Sequence, residues 1–293
     1  MKADWHFSGV TIEITSLCNL DCKHCLLPRW YRRRAKYLPA QKVIDVVDTI
    51  WRMGGFYLAI TGGEPTLYPH DRLVRIIREA RSRGMFVMLN TNATNMSESL
   101  AEEIAALGVQ VKVSLYGSDE RSYVLFTGRK LYRKVDSSLR LLREKGAWVD
   151  IDVIYTSFHK NMGISLTKML EYAHRFTEDV RVMGRILGGW RGREHVRELS
   201  LNEEDIVMNQ EERAIFSYHP FIRFMPEPWD PCAVTYIPEP YITSDGWVLV
   251  CPFDDEVISS IYNPDWPSIY QEKVVSFRRL PWPGGRCNYK KLL

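Results

Sequence analysis

Three of the six cysteines lie within eight residues, in the stretch CNLDCKHC at positions 18–25. Three residues separate Cys18 from Cys22, and two separate Cys22 from Cys25. Three thiolates on one short loop can each hold a different iron of a cubane iron–sulfur cluster and leave its fourth iron open. Two other interpretations stand beside this one: a zinc site that needs a fourth ligand such as His24, and an inert cysteine loop.

The composition narrows the chemistry open to these thiols. The 293 residues are 45% hydrophobic and carry a formal net charge of +3, as an ordinary globular protein does. No apolar run approaches the roughly 20 residues of a membrane span, and the start MKADWHFSGV lacks the apolar stretch of a secretory signal. We therefore expect a cytoplasmic protein with no membrane partner. In that reducing compartment, clustered cysteines indicate metal ligands or catalytic thiols rather than disulfides.

Strand-like and helix-like segments alternate over the first two thirds of the chain. Strands are predicted at 9–15, 56–61, 85–90, 109–117, 147–156 and 179–187, and helices at 39–51, 71–84, 97–108, 132–146 and 164–176. Six such units in a row predict an α/β fold with a parallel sheet and right-handed crossovers.

The distinctive segments all follow predicted strands. The cysteine loop follows the first strand, TGGEP (61–65) the second and NTNAT (90–94) the third, while SLYG (114–117) closes the fourth. Ligands of parallel α/β folds bind at the carboxyl ends of the strands. The sequence therefore predicts a single site at this edge of the sheet.

These segments together resemble the radical S-adenosylmethionine (radical SAM) superfamily over residues 9–190. The cysteine loop fits its C-x3-C-x2-C motif, and residues 61–65 resemble its GGE motif. FTGRK (126–130), which follows SLYG, resembles the subgroup that carries additional clusters. The resemblance implies a partial (β/α)6 TIM-like barrel over residues 1–195.

The resemblance also implies two cofactors and their contacts. A [4Fe–4S] cluster would be held by Cys18, Cys22 and Cys25, and S-adenosylmethionine would bind its open iron. His24 is expected near the adenine and Ser114 near the ribose. The other expected cofactor-binding residues are Thr61, Gly62, Gly63, Glu64, Asn92 and Arg185. The reduced cluster would then cleave the sulfonium to a 5′-deoxyadenosyl radical, which abstracts hydrogen from a C–H bond.

The remaining cysteines lie near the carboxyl terminus. The spacing of Cys232 and Cys251, with a hairpin predicted in YITSDGWVLVC (241–251), resembles the SPASM domain in its shortened twitch form. The resemblance implies a twitch-like extension over residues 196–293. Its auxiliary [4Fe–4S] cluster would be held by Cys232, Cys251 and Cys287.

Three questions about this second set of thiols stay open. The fourth ligand is a water, the substrate, or one of Asp254, Asp255, Asn288 and Tyr289. The three thiols could instead be inert and buried. Alternatively, Cys251 is a catalytic hydrogen donor to a substrate radical, which would leave too few ligands for an ordinary cubane.

Charged residues near the motifs admit more than one interpretation. The arginines after the cysteine loop form either a clamp for anionic groups or a solvated loop: Arg29, Arg32, Arg33 and Arg34. Asp150 and Asp152 lie near the start of the fifth strand, so we expect them to be structural and distant from the site. We expect the aromatic residues of 220–250 to belong to the core.

The predicted reaction is epimerisation or dehydrogenation of a small polar metabolite of the aminoglycoside or cyclitol kind. The short region ahead of the first strand favours it, because it leaves little room for a peptide-recognition domain. The alternative is a maturase of a ribosomally made peptide, supported by SLYG followed by FTG. Both need a reductant such as flavodoxin or ferredoxin. A nucleic-acid-binding module using RWYRRRAK (29–36) is disfavoured by the near-neutral charge, so we expect no nucleic-acid partner.

Overall fold

A computed structural model describes residues 6–25, 27–183, 199, 239–252 and 256–278. Its strands are Gly9–Thr15 (β1), Tyr57–Gly62 (β2), Phe86–Thr91 (β3), Gln110–Leu115 (β4), Trp148–Ile154 (β5), Val180–Met183 (β6), Tyr241–Ile242 (β7), Trp247–Leu249 (β8) and Val257–Ser260 (β9). They form one sheet in the order β6-β5-β4-β3-β2-β1-β7-β8-β9. Every pair from β6 to β7 along this order is parallel, whereas β8 pairs antiparallel with both of its neighbours. The predicted α/β fold with a parallel sheet is confirmed.

The helices follow the strands along the chain. They are Arg29–Arg33 (α1), Ala40–Arg52 (α2), His70–Ser82 (α3), Glu98–Ala106 (α4), Glu120–Thr127 (α5), Tyr132–Glu144 (α6), Ser157–Asn161 (α7), Leu166–Ala173 (α8) and Trp266–Arg278 (α9). A 3-10 turn spans Pro65–Leu67. The five predicted helices are confirmed, while α1, α5, α7 and α9 were not predicted. In the described part of the chain, no helix is long and apolar enough to cross a membrane.

The two faces of the parallel sheet differ in polarity. One face is fully buried and belongs to the hydrophobic core, with Val10, Ile12, Ile14, Leu58, Ile60, Val87, Leu89, Val111 and Val113. The amphipathic helices supply the other half of that core, as α2 does with Val43, Val47 and Ile50. Because side chains alternate along a strand, polar residues fall on the opposite face. Glu13, Thr61, Asn90, Lys112 and Asp150 occupy one register level there.

The predicted hairpin at 241–251 is confirmed, with Gly246 at φ 83° in its turn. It extends the sheet beside β1 instead of forming a separate layer. The buried Glu13 carboxylate on β1 accepts hydrogen bonds from the Tyr241 hydroxyl at 2.6 Å and from the Ser244 amide at 3.1 Å. The predicted domain boundary at residue 195 lies outside the described residues.

Candidate active site at the carboxyl ends of the strands

The cysteine loop packs against the FTGRK segment, which includes the end of α5. The Asp21 amide donates to the Thr127 carbonyl at 2.9 Å, and the Lys23 amide donates to the Phe126 carbonyl at 3.2 Å. The Asp21 carboxylate also pairs with Arg129 at 3.0 Å. FTGRK therefore forms one wall of the cysteine loop.

Arg32 holds the loop together from inside. Its side chain is buried, its Nε donates to the Leu27 carbonyl at 3.1 Å, and a terminal nitrogen donates to the Leu20 carbonyl. Neither proposed role of the arginines, anion clamp or solvated residue, describes this position. Arg32 stabilises the loop, whereas the other three arginines are exposed: Arg29, Arg33 and Arg34.

The three loop thiols lie close together, so the charge on Cys25 raises the pKa of both Cys18 and Cys22. Burial is the largest effect; it raises the pKa of Cys18 to about 12 and that of Cys22 well above its usual value. Three thiolates here therefore need a positively charged group beside them, as iron ions would be. Among the described residues, no three His, Cys, Asp or Glu side chains converge on a single metal position. In a cubane each cysteine binds a different iron, so this donor set fits a cluster better than one zinc ion.

The glycines of the GGE segment bring it against the root of the cysteine loop. The Gly63 amide donates to the Thr15 carbonyl at 2.8 Å, and the Glu64 amide donates to the Leu17 carbonyl at 2.7 Å. A Cβ atom at Gly62 would lie 2.2 Å from the Thr15 carbonyl oxygen, and one at Gly63 would lie 2.2 Å from that of Leu17. The chain's close approach to itself thus requires both glycines.

The Glu64 side chain joins the ends of β2 and β3. Its carboxylate is buried and accepts hydrogen bonds from the Thr66 amide (3.0 Å) and hydroxyl (2.6 Å), the Thr91 hydroxyl (2.6 Å) and the Asn92 amide (2.7 Å). Burial raises the pKa of Glu64, and these hydrogen bonds oppose the shift. All four partners donate, so the geometry suits the ionised carboxylate. Because both carboxylate oxygens of Glu64 already accept hydrogen bonds, the GGE backbone is better placed than this side chain to contact a cofactor.

Asn92 connects the end of β3 to the cysteine loop. Its side-chain nitrogen lies 3.2 Å from Oδ1 of Asn19 and 3.8 Å from the sulfur of Cys18. Its own Oδ1 accepts from the Thr94 amide at 3.0 Å. Asn92 can therefore donate a hydrogen bond to a cluster ligand, which is one of the ways a protein sets a cluster's potential.

Ser114 reaches the cysteine loop through Tyr116, a residue to which the sequence analysis gave no role. Tyr116 is buried; Ser114 lowers the pKa of its hydroxyl, and Tyr116 in turn lowers the pKa of the Cys22 thiol, so the three side chains are neighbours. The His24 ring packs between two aromatic rings: its centroid lies 5.4 Å from that of Tyr116 and 5.2 Å from that of Phe126. Tyr116 lies within SLYG, but a tyrosine after a strand is usually an ordinary core residue, and nothing local distinguishes it.

His159 fixes the backbone of Tyr116 and was also missed. Its Nδ1 accepts from the Thr156 amide at 3.2 Å, so Nε2 carries the proton and donates to the Tyr116 carbonyl at 3.1 Å. Burial lowers the pKa of His159 to about 4. The neutral ring therefore acts as a fixed link between the ends of β5 and β4.

A charged group lies on the polar face of the sheet, below the cysteine loop. Arg181 donates to Oδ2 of Asp150 at 2.5 Å, and its Nε lies 3.5 Å from Asp152. Oδ1 of each aspartate is buried and accepts no hydrogen bond from any described residue. Burial lowers the pKa of Lys112 and raises that of Asp152.

The position of Asp152 corrects the expectation that it lies far from the site. It pairs in register with Ser114, because β5 is staggered relative to β4. We call Lys112, Asp150, Asp152 and Arg181 the charged chamber. The predicted position of Asp152 was wrong because the stagger between neighbouring strands cannot be read from the sequence of one strand.

Cys251 lies at the opposite edge of the sheet from the cysteine loop. Leu249 pairs with Tyr241, which pairs with Thr11 on β1. Since β8 runs antiparallel, Cys251 lies near the amino end of β1, roughly 20 Å along the strand from its carboxyl end. A hydrogen donor would have to reach the other edge. The predicted residues that lie outside the described part of the chain are Arg185, Cys232, Asp254, Asp255, Cys287, Asn288 and Tyr289.

Residues 12–162 match the family model "Radical SAM superfamily". This range contains the cysteine loop, the GGE segment, Asn92 and SLYG. The chain belongs to the radical SAM superfamily. The family's cofactors are a [4Fe–4S] cluster and S-adenosylmethionine. In this radical SAM protein, the residues that would hold the cluster are Cys18, Cys22 and Cys25.

Two curated relatives agree with this assignment. The mycofactocin maturase MftC of Mycobacterium tuberculosis is 29% identical over 175 residues, which are 59% of this chain and 43% of MftC. The PqqA peptide cyclase of Streptomyces rochei is 25% identical over 148 residues, 50% of this chain and 40% of the cyclase. This radical SAM chain therefore spans less than half the length of either relative.

The fold is that of Streptococcus suis SuiB. The structure of SuiB with S-adenosylmethionine has a TM-score of 0.71 at 16% identity, over 98% of this chain and 72% of SuiB. The structure of SuiB with the precursor peptide SuiA has a TM-score of 0.72 at 16% identity, over 98% of this chain and 70% of SuiB.

Proposed function

We propose that this chain is a radical SAM enzyme that abstracts hydrogen from a C–H bond of a peptide and so matures it. The observation that carries the proposal is the meeting of three loop thiols, the GGE backbone and Asn92 at one edge of the sheet. When bound, the cluster supplies the electron that cleaves S-adenosylmethionine to a radical. The chain itself supplies the cradle: Arg32 shapes the loop, and Tyr116 and Glu64 fix its neighbours.

The peptide takes the place of the small polar metabolite that the sequence analysis favoured. The names of the two relatives support it, since one is a maturase and the other a peptide cyclase. The SuiB complex adds a protein of the same fold that binds a precursor peptide. The charged chamber suits a polar group of either substrate class, because the buried Oδ1 of Asp150 accepts no hydrogen bond from the described residues.

We also propose that residues 196–293 form a twitch-like extension with an auxiliary [4Fe–4S] cluster on Cys232, Cys251 and Cys287. The hairpin that leads to Cys251 supports this proposal. The distance of Cys251 from the carboxyl edge supports a ligand role over hydrogen donation.

The test is anaerobic turnover of reconstituted protein with S-adenosylmethionine and dithionite. One arm contains peptides encoded beside the gene, and a second contains a panel of aminoglycosides and cyclitols. We expect 5′-deoxyadenosine in both arms and a mass change in a peptide only. A Cys22→Ala variant, which should not hold an intact cluster, is the control. No 5′-deoxyadenosine from cluster-loaded protein would refute the radical reaction, and product only from a metabolite would restore the other substrate class.

Deuterated water then distinguishes the outcomes on the peptide. Deuterium in a product of unchanged formula would indicate quenching by an exchangeable group and therefore epimerisation. Loss of two hydrogens without incorporation would indicate oxidation or cross-linking.

A further inference from the structure

Two stretches of the chain are basic and contain no acidic residue. Residues 22–44 contain seven Lys or Arg and no Asp or Glu, and residues 121–135 contain five and none. The formal charge of the whole chain is only +3. Positive charge is therefore concentrated in these stretches and offset elsewhere.

The fold brings the two stretches together around the cysteine loop. The amides of Asp21 and Lys23 donate to the carbonyls of Thr127 and Phe126, at 2.9 and 3.2 Å. We call six exposed cations of these two stretches the basic surface: Lys23, Arg29, Arg33, Arg34, Arg129 and Lys130. Arg29 and Arg129 both pair with Asp21 of the cysteine loop, so the two stretches meet beside the thiols.

Among the described residues, little negative charge lies against the basic surface. Asp21 pairs with Arg29 at 3.5 Å and with Arg129 at 3.0 Å. In the described part of the chain, no ion pair involves Arg33, Arg34 or Lys130. Arg34 only stacks on the exposed Trp30 ring, at 5.6 Å. A surface with this excess of positive charge attracts an acidic partner and speeds its association.

We propose that the basic surface docks an acidic, one-electron carrier protein that reduces the cluster. The inference rests on the proposed function, which needs one electron for each cleavage. Lys23 is exposed and lies between Cys22 and Cys25, so a carrier docked on it would lie directly against the cysteine loop. The carrier's redox group loses one electron and the cluster gains it, and no bond forms or breaks in that step.

The test compares a protein reductant with a small one. The variant Arg33→Glu/Arg34→Glu/Lys130→Glu reverses three exposed cations that contact neither the thiols nor the charged chamber. A matched control, Arg52→Glu/Arg72→Glu/Lys168→Glu, makes the same charge change on α2, α3 and α8. Each protein is assayed for 5′-deoxyadenosine with a bacterial flavodoxin, its reductase and NADPH, and separately with dithionite. The dissociation constant for flavodoxin is measured in parallel.

We expect the surface variant to lose roughly tenfold or more of the flavodoxin-driven rate and flavodoxin affinity at low salt, because several attractive charges become repulsive. Its dithionite-driven rate and iron content should stay within about twofold of wild type, as should every property of the control variant. The wild-type flavodoxin-driven rate should fall when the NaCl concentration is raised from about 30 to about 300 mM, because this shortens the screening length roughly threefold.

An unchanged flavodoxin-driven rate and affinity in the surface variant would overturn the proposal. So would tighter wild-type binding to a single-stranded RNA oligonucleotide than to flavodoxin, which would make the basic surface a nucleic-acid site. Failure of the proposed function looks different: the wild type would then make no 5′-deoxyadenosine with dithionite, while the affinity measurement would still decide the docking site.

Discussion

The side-chain nitrogen of Asn92 lies 3.8 Å from the sulfur of Cys18. A hydrogen bond to a ligand sulfur stabilises the more negative, reduced cluster. We expect Asn92→Ala to make the reduction potential more negative by on the order of tens of millivolts, as measured by redox titration with electron paramagnetic resonance. Asn95→Ala is the control, since Asn95 donates to the Thr66 carbonyl at 2.7 Å. Equal potentials in the two variants would show that Asn92 does not act on the cluster.

Glu64 should not tolerate the isosteric change to glutamine. Oε1 accepts from the Thr66 amide and Oε2 from the Asn92 amide, so either orientation of a glutamine amide points its NH2 group at a backbone donor. We expect Glu64→Gln to reduce the free energy of unfolding by about 2–3 kcal/mol, as measured by urea denaturation. A loss below about 0.5 kcal/mol would mean that the carboxylate is already protonated and donating.

Gly62 should be more sensitive to alanine than other glycines with positive φ. Its φ is 141°, and a Cβ there would meet the Thr15 carbonyl; Gly84 has φ 75° with open space around it. We expect Gly84→Ala to cost about 1 kcal/mol from backbone strain alone. Gly62→Ala should cost at least about 3 kcal/mol and lower the iron content, because the root of the cysteine loop must move. Similar losses in both variants would show that strain, not the contact, sets the cost.

The buried His159 should make the protein sensitive to mild acid. Burial lowers its pKa from 6.5 in the unfolded chain to about 4, so between these values the unfolded state binds the extra proton. The stability that this ring contributes is complete above pH 6.5 and is lost as the pH falls toward 4. Between pH 7 and pH 5 the loss should be about 2 kcal/mol.

Urea denaturation of the metal-free protein at both pH values measures this loss. His159→Gln should remove it, apart from a constant penalty for the changed hydrogen bonds. His70→Gln, on the exposed start of α3, should keep the wild-type pH dependence. If both variants lose the same free energy of unfolding between pH 7 and pH 5, His159 is not the source of the acid sensitivity.

Cys251 separates the ligand and donor hypotheses. If Cys251 is a ligand of an auxiliary cluster, its change to alanine should lower the iron content from about eight to about four per chain. Dithionite-driven formation of 5′-deoxyadenosine should then persist. If Cys251 is instead a hydrogen donor, its change to alanine should leave the iron content unchanged and abolish deuterium transfer to the product. Iron analysis and mass spectrometry of one preparation distinguish the two, with Cys22→Ala as the variant that must lose turnover.

Most of the parallel sheet was predictable because its signals are local. Apolar runs define β1 to β6, and a glycine with positive φ follows each of α3, α4 and α6: Gly84, Gly108 and Gly146. The helix α5 was missed although it has a local signal, a capping box between Asp119 and Ser122. In α9, Trp266, Tyr270 and Val274 repeat at helical spacing and are buried, but the proline-rich surroundings hid the pattern.

The site was predictable only where its residues are neighbours in sequence. The cysteine loop, the GGE turn and the hairpin are each a short segment with its own signature. The link from His159 to Tyr116, the burial of Arg32 and the level of Asp152 depend on how separate strands are staggered and packed. Stagger is a tertiary property, so a single sequence does not specify it.

The bonds from Glu13 to Tyr241 and Ser244 have a consequence for synthesis on the ribosome. The partners are 228 and 231 residues apart, and translation at about 5–20 residues per second separates their emergence by roughly 10–50 s. During that interval the edge of nascent β1 that will pair with β7 is exposed, and the Glu13 carboxylate lacks these two donors. The newborn polypeptide is therefore exposed to edge-to-edge association until its last quarter emerges, and added chaperone should raise the recovered yield.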